Sequence, residues 1–187
     1  MKHFILIMVL ISGMLNQDAT NALYTCKNAR ISLYSSAPVE NIEGISNAGK
    51  SVYNLATGEL MFNVAIRSLK FDKSRMEEHF NENYMESDKY PQASFKGKIT
   101  EKIDVNSNGS YPVTVTGVLY VHGVKQTRTV KGTVKINNGT LSMASEFMVK
   151  CVDHNIEIPK IVFKNVAETL KLNVSATYTL YKSNPTR

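Results

Sequence analysis

The chain lacks any arrangement that activates a nucleophile. It has no G-x-S-x-G elbow, no cysteine beside a recognisable base and no close pair of carboxylates in a glycine-bounded loop. These absences argue against an enzyme, and no cofactor is expected. Histidine is scarce: after His3 only His79, His122 and His154 remain. They are isolated, whereas zinc or iron sites draw on clustered ligands, often at i,i+4 on a helix or i,i+2 on a strand, so no metal is expected. The longest apolar stretch, Phe4 to Leu15, is shorter than the roughly 20 residues a spanning helix needs, and no membrane span is expected. The basic residues, among them Lys96, Lys98, Lys102, Lys125, Arg128, Lys131 and Lys135, are scattered and never form a tail, so nucleic acid is not an expected partner.

What is present begins with an export signature. Lys2 and His3 precede the apolar run, and Thr20-Asn21-Ala22 follows it with small residues at the positions a signal peptidase requires. Residues 1–22 are read as a signal peptide, with a cut after Ala19 as the other reading. Cys26 follows Leu23-Tyr24-Thr25 instead of a small-residue pair, so a soluble exported protein is favoured over a lipid-anchored one. The expected location is periplasmic or secreted. Residues 23–187 then form a single domain. The formal charge of +6 survives loss of Lys2 and Asp18 and favours anionic partners. The two cysteines, Cys26 and Cys151, leave two readings open: a disulfide closing a long loop, or separate thiols.

Period-two alternation dominates the domain. Leu170, Leu172, Val174, Ala176, Tyr178 and Leu180 stand against Lys171, Asn173, Ser175, Thr177 and Thr179, one face dry and the other wet. Similar runs place strands near 30–36, 50–56, 59–71, 94–104, 111–121, 125–136, 140–152 and 169–181. Asn106-Ser107-Asn108-Gly109 and Asn137-Asn138-Gly139 supply turn chemistry between them. Eight half-buried strands predict an all-β fold, an eight-stranded antiparallel up-and-down barrel, because an open sheet would leave one apolar face wet and two edges unpaired. Such a barrel is either filled by side chains or holds one small ligand. The small interior-parity residues Gly97, Gly117, Gly132, Ser145 and Ala176 lean toward a hollow barrel, although glycines also mark bends.

Two short helical insertions are expected. Ser74 and Glu77 have the spacing of a capping box, and Met76, Phe80 and Tyr84 then share one face of a helix that lids the barrel. Pro159 opens a second helical turn with Ile161, Val162, Val166 and Leu170 as an apolar stripe, read as a plug.

Two blocks carry a family resemblance. Ser74 to Phe95 contains His79, Phe80, Asp88, Lys89, Tyr90, Pro91 and Phe95, and Leu119 to Val124 reads L-Y-V-H-G-V. Together they resemble the YceI-like family of secreted, lipocalin-like barrels, and the resemblance extends over essentially all of residues 23–187. The chain departs from the family pattern at Met76 and Glu77, where Arg and Asp are usual, and at Tyr120 and Lys125, which replace threonines. A histidine common in the first strand is replaced by Ser35-Ser36-Ala37-Pro38. The resemblance implies a non-enzymatic binding protein that holds a long isoprenoid or fatty amphiphile inside its barrel. The other reading is a side-chain-filled structural or stress-related envelope barrel without a lipid. On the first reading Phe62, Met76, Phe80, Tyr84, Phe95, Phe147 and Tyr178 line the channel, although the same residues also suit an ordinary core. His79 and His122 would hydrogen-bond between lid, turn and rim, near a polar head group that rim lysines also face.

Overall fold

A computed structural model of the chain describes residues 22–36, 41–158 and 167–181. Nearly all of the export segment therefore lies outside the described residues, as do Ala37, Pro38, Pro159, Ile161, Val162 and Val166 of the expected plug. Among the described residues nine strands form: β1 (Leu23–Ser35), β2 (Ile42–Asn54), β3 (Glu59–Ala65), β4 (Lys70–Phe71), β5 (Gln92–Ile99), β6 (Gly109–Val121), β7 (Val124–Asn137), β8 (Thr140–Lys150) and β9 (Thr169–Leu180). All pairings are antiparallel. β1, β2, β3, β5, β6, β7, β8 and β9 pair in chain order and β9 returns to β1, which closes an eight-stranded up-and-down barrel. β4 is a two-residue appendage of β2.

Several strand boundaries correct the sequence reading, each for a local reason. β1 begins at Leu23 instead of near 30 because Lys27 and Asn28 both face solvent at a bulge, which breaks the period of two. β2 begins at Ile42 instead of near 50 because its buried positions are Gly44, Ser46 and Gly49, which carry no hydrophobic signal. Gly49 is small from necessity: a Cβ there would lie 2.5 Å from Cδ1 of Ile31. The stretch expected as one strand over 59–71 is interrupted by a 3₁₀ turn at Ile66–Ser68, where the Ile66 amide donates to the Pro91 carbonyl. β5 ends at Ile99, short of the expected 104.

Turns fix the register where sequence chemistry demanded it. Asn138 and Gly139 have φ of 47° and 76°, and His122 and Gly123 have 50° and 77°, the paired positive angles of two-residue hairpins. β7 pairs with β6 along its whole length, from Val124 to Ile136. Its ladder with β8 is shorter, running only from Asn137–Thr140 to Gly132–Ser145.

The lid helix is real but differently built. α1 (Ser74–His79) passes directly into a π-helical turn at Phe80–Tyr84, closed by the Met85 amide donating to the Phe80 carbonyl at 2.9 Å. The expected capping box does not form. Lys73 occupies the cap position with no side-chain cap bond, and the Glu77 carboxylate is turned to Lys70. That ion pair holds the Glu77 carboxyl below its ordinary pKa.

Two apolar clusters terminate the interior. One gathers Tyr24, Cys26, Tyr53, Ile136, Leu141 and Tyr178. The other gathers Ile66, Met85, Cys151 and Ile156, with Phe80, Tyr84, Val121 and Leu170 packed on it. Cys26 and Cys151 are both free and buried. The bridge left open by the sequence is not formed, because its two ends belong to different clusters. Thr25 pairs with Thr179 near one end of β9 and Lys150 pairs with Thr169 at the other, ten residues or about 33 Å along the strand.

Candidate functional site

An elongated cavity of about 210 Å³ runs through the barrel between the two clusters. Its wall is built by strand parity. Leu172, Val174, Ala176 and Tyr178 of β9 line it, as do Phe62 and Val64 of β3 and Val113, Val115 and Leu119 of β6. Phe80 and Met85, from the lid and its exit, line it as well. The lining is almost wholly apolar. An engineered apolar cavity of about 150 Å³ stays dry and takes up benzene, so an interior of this chemistry suits hydrocarbon better than water.

Small interior residues contribute in two ways. Gly97 and Gly117 face each other across β5 and β6, and a Cβ on Gly117 would lie 2.4 Å from the Lys96 carbonyl oxygen and 2.5 Å from the Gly97 Cα. They therefore serve a close backbone approach. Ser145, Gly132 and Ala176 line the cavity and widen it.

At one end the polar groups are satisfied internally. Ser51 Oγ donates to the Met61 carbonyl at 2.8 Å, which leaves its oxygen to accept the Tyr178 hydroxyl proton at 2.7 Å. Burial pushes the Tyr178 pKa well above the ordinary value for a phenol, so this hydroxyl stays neutral. Burial also pushes the Cys151 thiol at the other end up to about 11, which keeps it protonated and unreactive at neutral pH.

The lid end is held by a clasp. His122 Nδ1–H donates to the His154 carbonyl at 3.1 Å, and His122 Nε2 lies 2.9 Å from a Glu86 carboxylate oxygen. The clasp thus joins the lid exit, the β6–β7 turn and the segment after β8. Glu86, His122 and Asn155 all have positive φ. Three non-glycine residues held in the left-handed region around one hydrogen-bond chain imply that the surrounding packing imposes their conformation. The Tyr90 ring stands 4.5 Å from the His122 ring and occupies the space a Cβ on Gly123 would need. The two sequence blocks that carried the resemblance therefore touch in space. Beside them His154 is wholly buried, neither ring nitrogen makes a well-formed hydrogen bond among the described residues, and burial pushes its pKa down.

The residue expectations divide accordingly. Phe62, Phe80, Phe95, Phe147 and Tyr178 line the cavity. Tyr84 packs behind it in the lid cluster, Met76 is half-buried outside it and His79 is exposed. His122 takes the bridging position expected between lid, turn and rim, without reaching the cavity. Leu69, Met143 and Ile156 line it without having been expected there. Met143 was legible from its strand parity, but the other two lie in turns where no period applies. Among the described residues, no three of His, Cys, Asp and Glu stand together in a way that would hold a metal ion.

The sequence profile of the YceI-like domain matches residues 17–178. The chain belongs to the YceI-like family. Solved structures share the fold of this YceI-like chain at low identity. A polyisoprenoid-binding domain from Saccharophagus degradans, implicated in plant cell wall breakdown, is 14% identical with a TM-score of 0.72, covering 84% of this chain and 98% of its own. BcnA from Burkholderia cenocepacia is 19% identical with a TM-score of 0.66, covering 81% of this chain and 96% of its own. The YceI protein of Campylobacter jejuni is 17% identical with a TM-score of 0.54, covering 98% of this chain and 100% of its own. No match was found among curated proteins. Among the described residues of the YceI-like chain, no helix is long and apolar enough to cross a membrane.

Proposed function

We propose that this protein is an exported, non-catalytic carrier that holds the hydrocarbon tail of an isoprenoid or similar amphiphile inside its barrel. The observation that carries the reading is the apolar cavity between the two end clusters, which a barrel filled by its own side chains would not leave. Each buried CH₂ contributes about 0.8 kcal/mol, so a tail of about ten carbons supplies about 8 kcal/mol, the scale of micromolar affinity before the cost of association is subtracted, and longer tails supply more. The resemblance to the Saccharophagus degradans domain supports the ligand class, and the N-terminal apolar run supports export.

Native mass spectrometry of protein purified gently from its own envelope tests the reading. The expected result is a bound mass that organic extraction removes. Adding the extracted lipid back at about a hundred times its dissociation constant then raises the melting temperature by roughly 5–10 °C. A protein that is repeatedly empty, and whose melting temperature isoprenoid alcohols and phosphates leave unchanged, would contradict it.

A further inference from the structure

The barrel wall has a seam. β7 and β8 are paired only as far as Gly132–Ser145, while β7 continues along β6 to Val124 and β8 continues along β9 to Lys150. Two unpaired strand edges therefore face each other above Gly132. Where the ladder stops, Ser145 Oγ donates to the Lys131 carbonyl at 2.7 Å and takes the place of a ladder bond. Further up, β7 is tied to the 3₁₀ turn Cys151–His154 that follows β8, where Arg128 pairs with Asp153 and Gln126 donates to the Asp153 carbonyl at 2.8 Å. From Arg128 to Gly132 the interval is four residues, about 13 Å of strand.

On the outside, the seam opens into a shallow polar groove across β1, β9, β8 and β7. Gly132, Ser145 and Val174 line both this groove and the inner cavity. Arg30 pairs with Ser175, Ser175 with Ala144 and Ala144 with Thr133, so Arg30 stands on the far wall of the groove and Lys131 on the lip of the seam. Both are exposed, and among the described residues neither has an ion-pair partner. The groove's one carboxylate, Glu146, is drawn to Lys171 at 3.7 Å. Two exposed cations thus flank the place where the groove and the apolar interior share their lining.

We infer that the β7–β8 seam is a lateral portal: the ligand's tail enters the cavity between the two strands, and its anionic head group stays outside on Arg30 and Lys131. This rests on the carrier reading and adds to it where the head sits and what charge it bears. The geometry separates the two halves of an amphiphile, tail in the apolar interior and head in a wet groove, so that no charge is carried into the barrel.

Isothermal titration calorimetry with decyl phosphate, decanoate and decanol tests the head-group site. For the Arg30→Gln/Lys131→Gln double variant, binding of decyl phosphate weakens by about tenfold or more, as loss of charge-assisted contacts requires, while decanol binds as to wild type. Decanoate separates a carboxylate preference from a phosphate preference by the size of the same loss. Glu146→Gln shifts the anions the other way, toward tighter binding, a change that mere destabilisation does not produce. The portal is tested by attaching a bulky maleimide to Thr129→Cys, whose position flanks the seam, and following decanol uptake by stopped flow. Uptake slows markedly, and full-rate uptake would overturn the route. Equal affinity of the double variant and wild type for both anions, with decanol binding intact, would overturn the head-group site and leave the carrier reading standing. Failure of wild type to bind any of the three overturns both.

Discussion

Two buried polar side chains mark the two ends of the barrel and differ in how burial is compensated. Tyr178 donates its proton to a serine that is itself anchored to a carbonyl, whereas among the described residues His154 is buried with neither ring nitrogen in a well-formed hydrogen bond. A weakly compensated imidazole tolerates the interior best when neutral, and burial accordingly pushes its pKa below 6.5. Backbone groups of Val121 and Val124 favour the proton and Arg128 opposes it, but burial is the largest effect. The unfolded chain therefore takes up this proton before the folded one does. His154's contribution to stability is complete above about pH 6.5 and is lost as the pH falls toward the depressed folded value. Urea unfolding between pH 7.5 and pH 5 should show stability falling with acid, and His154→Leu should flatten that slope. An unchanged slope in the variant would place the acid sensitivity elsewhere.

At the scale of elements, what was legible depended on whether side-chain chemistry announced the geometry. The strands with clean alternation, β6 to β9, were found to within about three residues at each end, and the Asn138-Gly139 hairpin followed from its residues. The beginnings of β1 and β2 were not, because a bulge and a set of buried glycines and serines erase the period. The S-x-x-E spacing misled because Lys70, seven residues before Glu77 in the chain and brought beside it by β4, outcompetes the local backbone amide for its carboxylate. The π-helical turn at Phe80–Tyr84 has no sequence mark either, yet it lets Phe80 and Met85 both face the cavity. Gly97 and Gly117 suit either space or a bend on sequence alone, and the structure gives them a different reason, an approach of β5 to β6 too close for a Cβ. Gly117→Ala should therefore destabilise the protein by roughly 1–3 kcal/mol, the cost of forcing a methyl group against a backbone carbonyl. Chemical denaturation measures it, and a loss below about 0.5 kcal/mol would show that the strands part freely there.

Across the whole molecule, the fold and five of the seven channel candidates followed from parity and from the family blocks, since an eight-stranded barrel must turn one face of every strand inward. The contact between those blocks, Tyr90 on His122 and Gly123, became visible only in three dimensions. So did the seam. Where a ladder stops is set by how neighbouring strands diverge, and the one mark of it in the sequence is the polar run Lys125 to Thr129, which ends the apolar alternation of β7 at Val130. The resulting molecule has an apolar interior capped by a tyrosine at one end and by a clasped lid at the other, with one stretch of wall left unzipped.

The central claim is that a hydrocarbon tail occupies that interior. Val174 lies midway along β9, paired with Ile31 on one side and Ser145 on the other, and lines the cavity. Val174→Phe fills space that the tail would use at a cost in stability of about 1–3 kcal/mol, which leaves the barrel folded. Calorimetric titration of decanol into this variant and into wild type, with far-ultraviolet circular dichroism confirming the sheet, is the most direct test. Occupation of the interior predicts that the variant loses decanol binding by tenfold or more, about 1.4 kcal/mol at least, while remaining folded. Equal binding by the two proteins would place the tail outside the barrel and contradict the account.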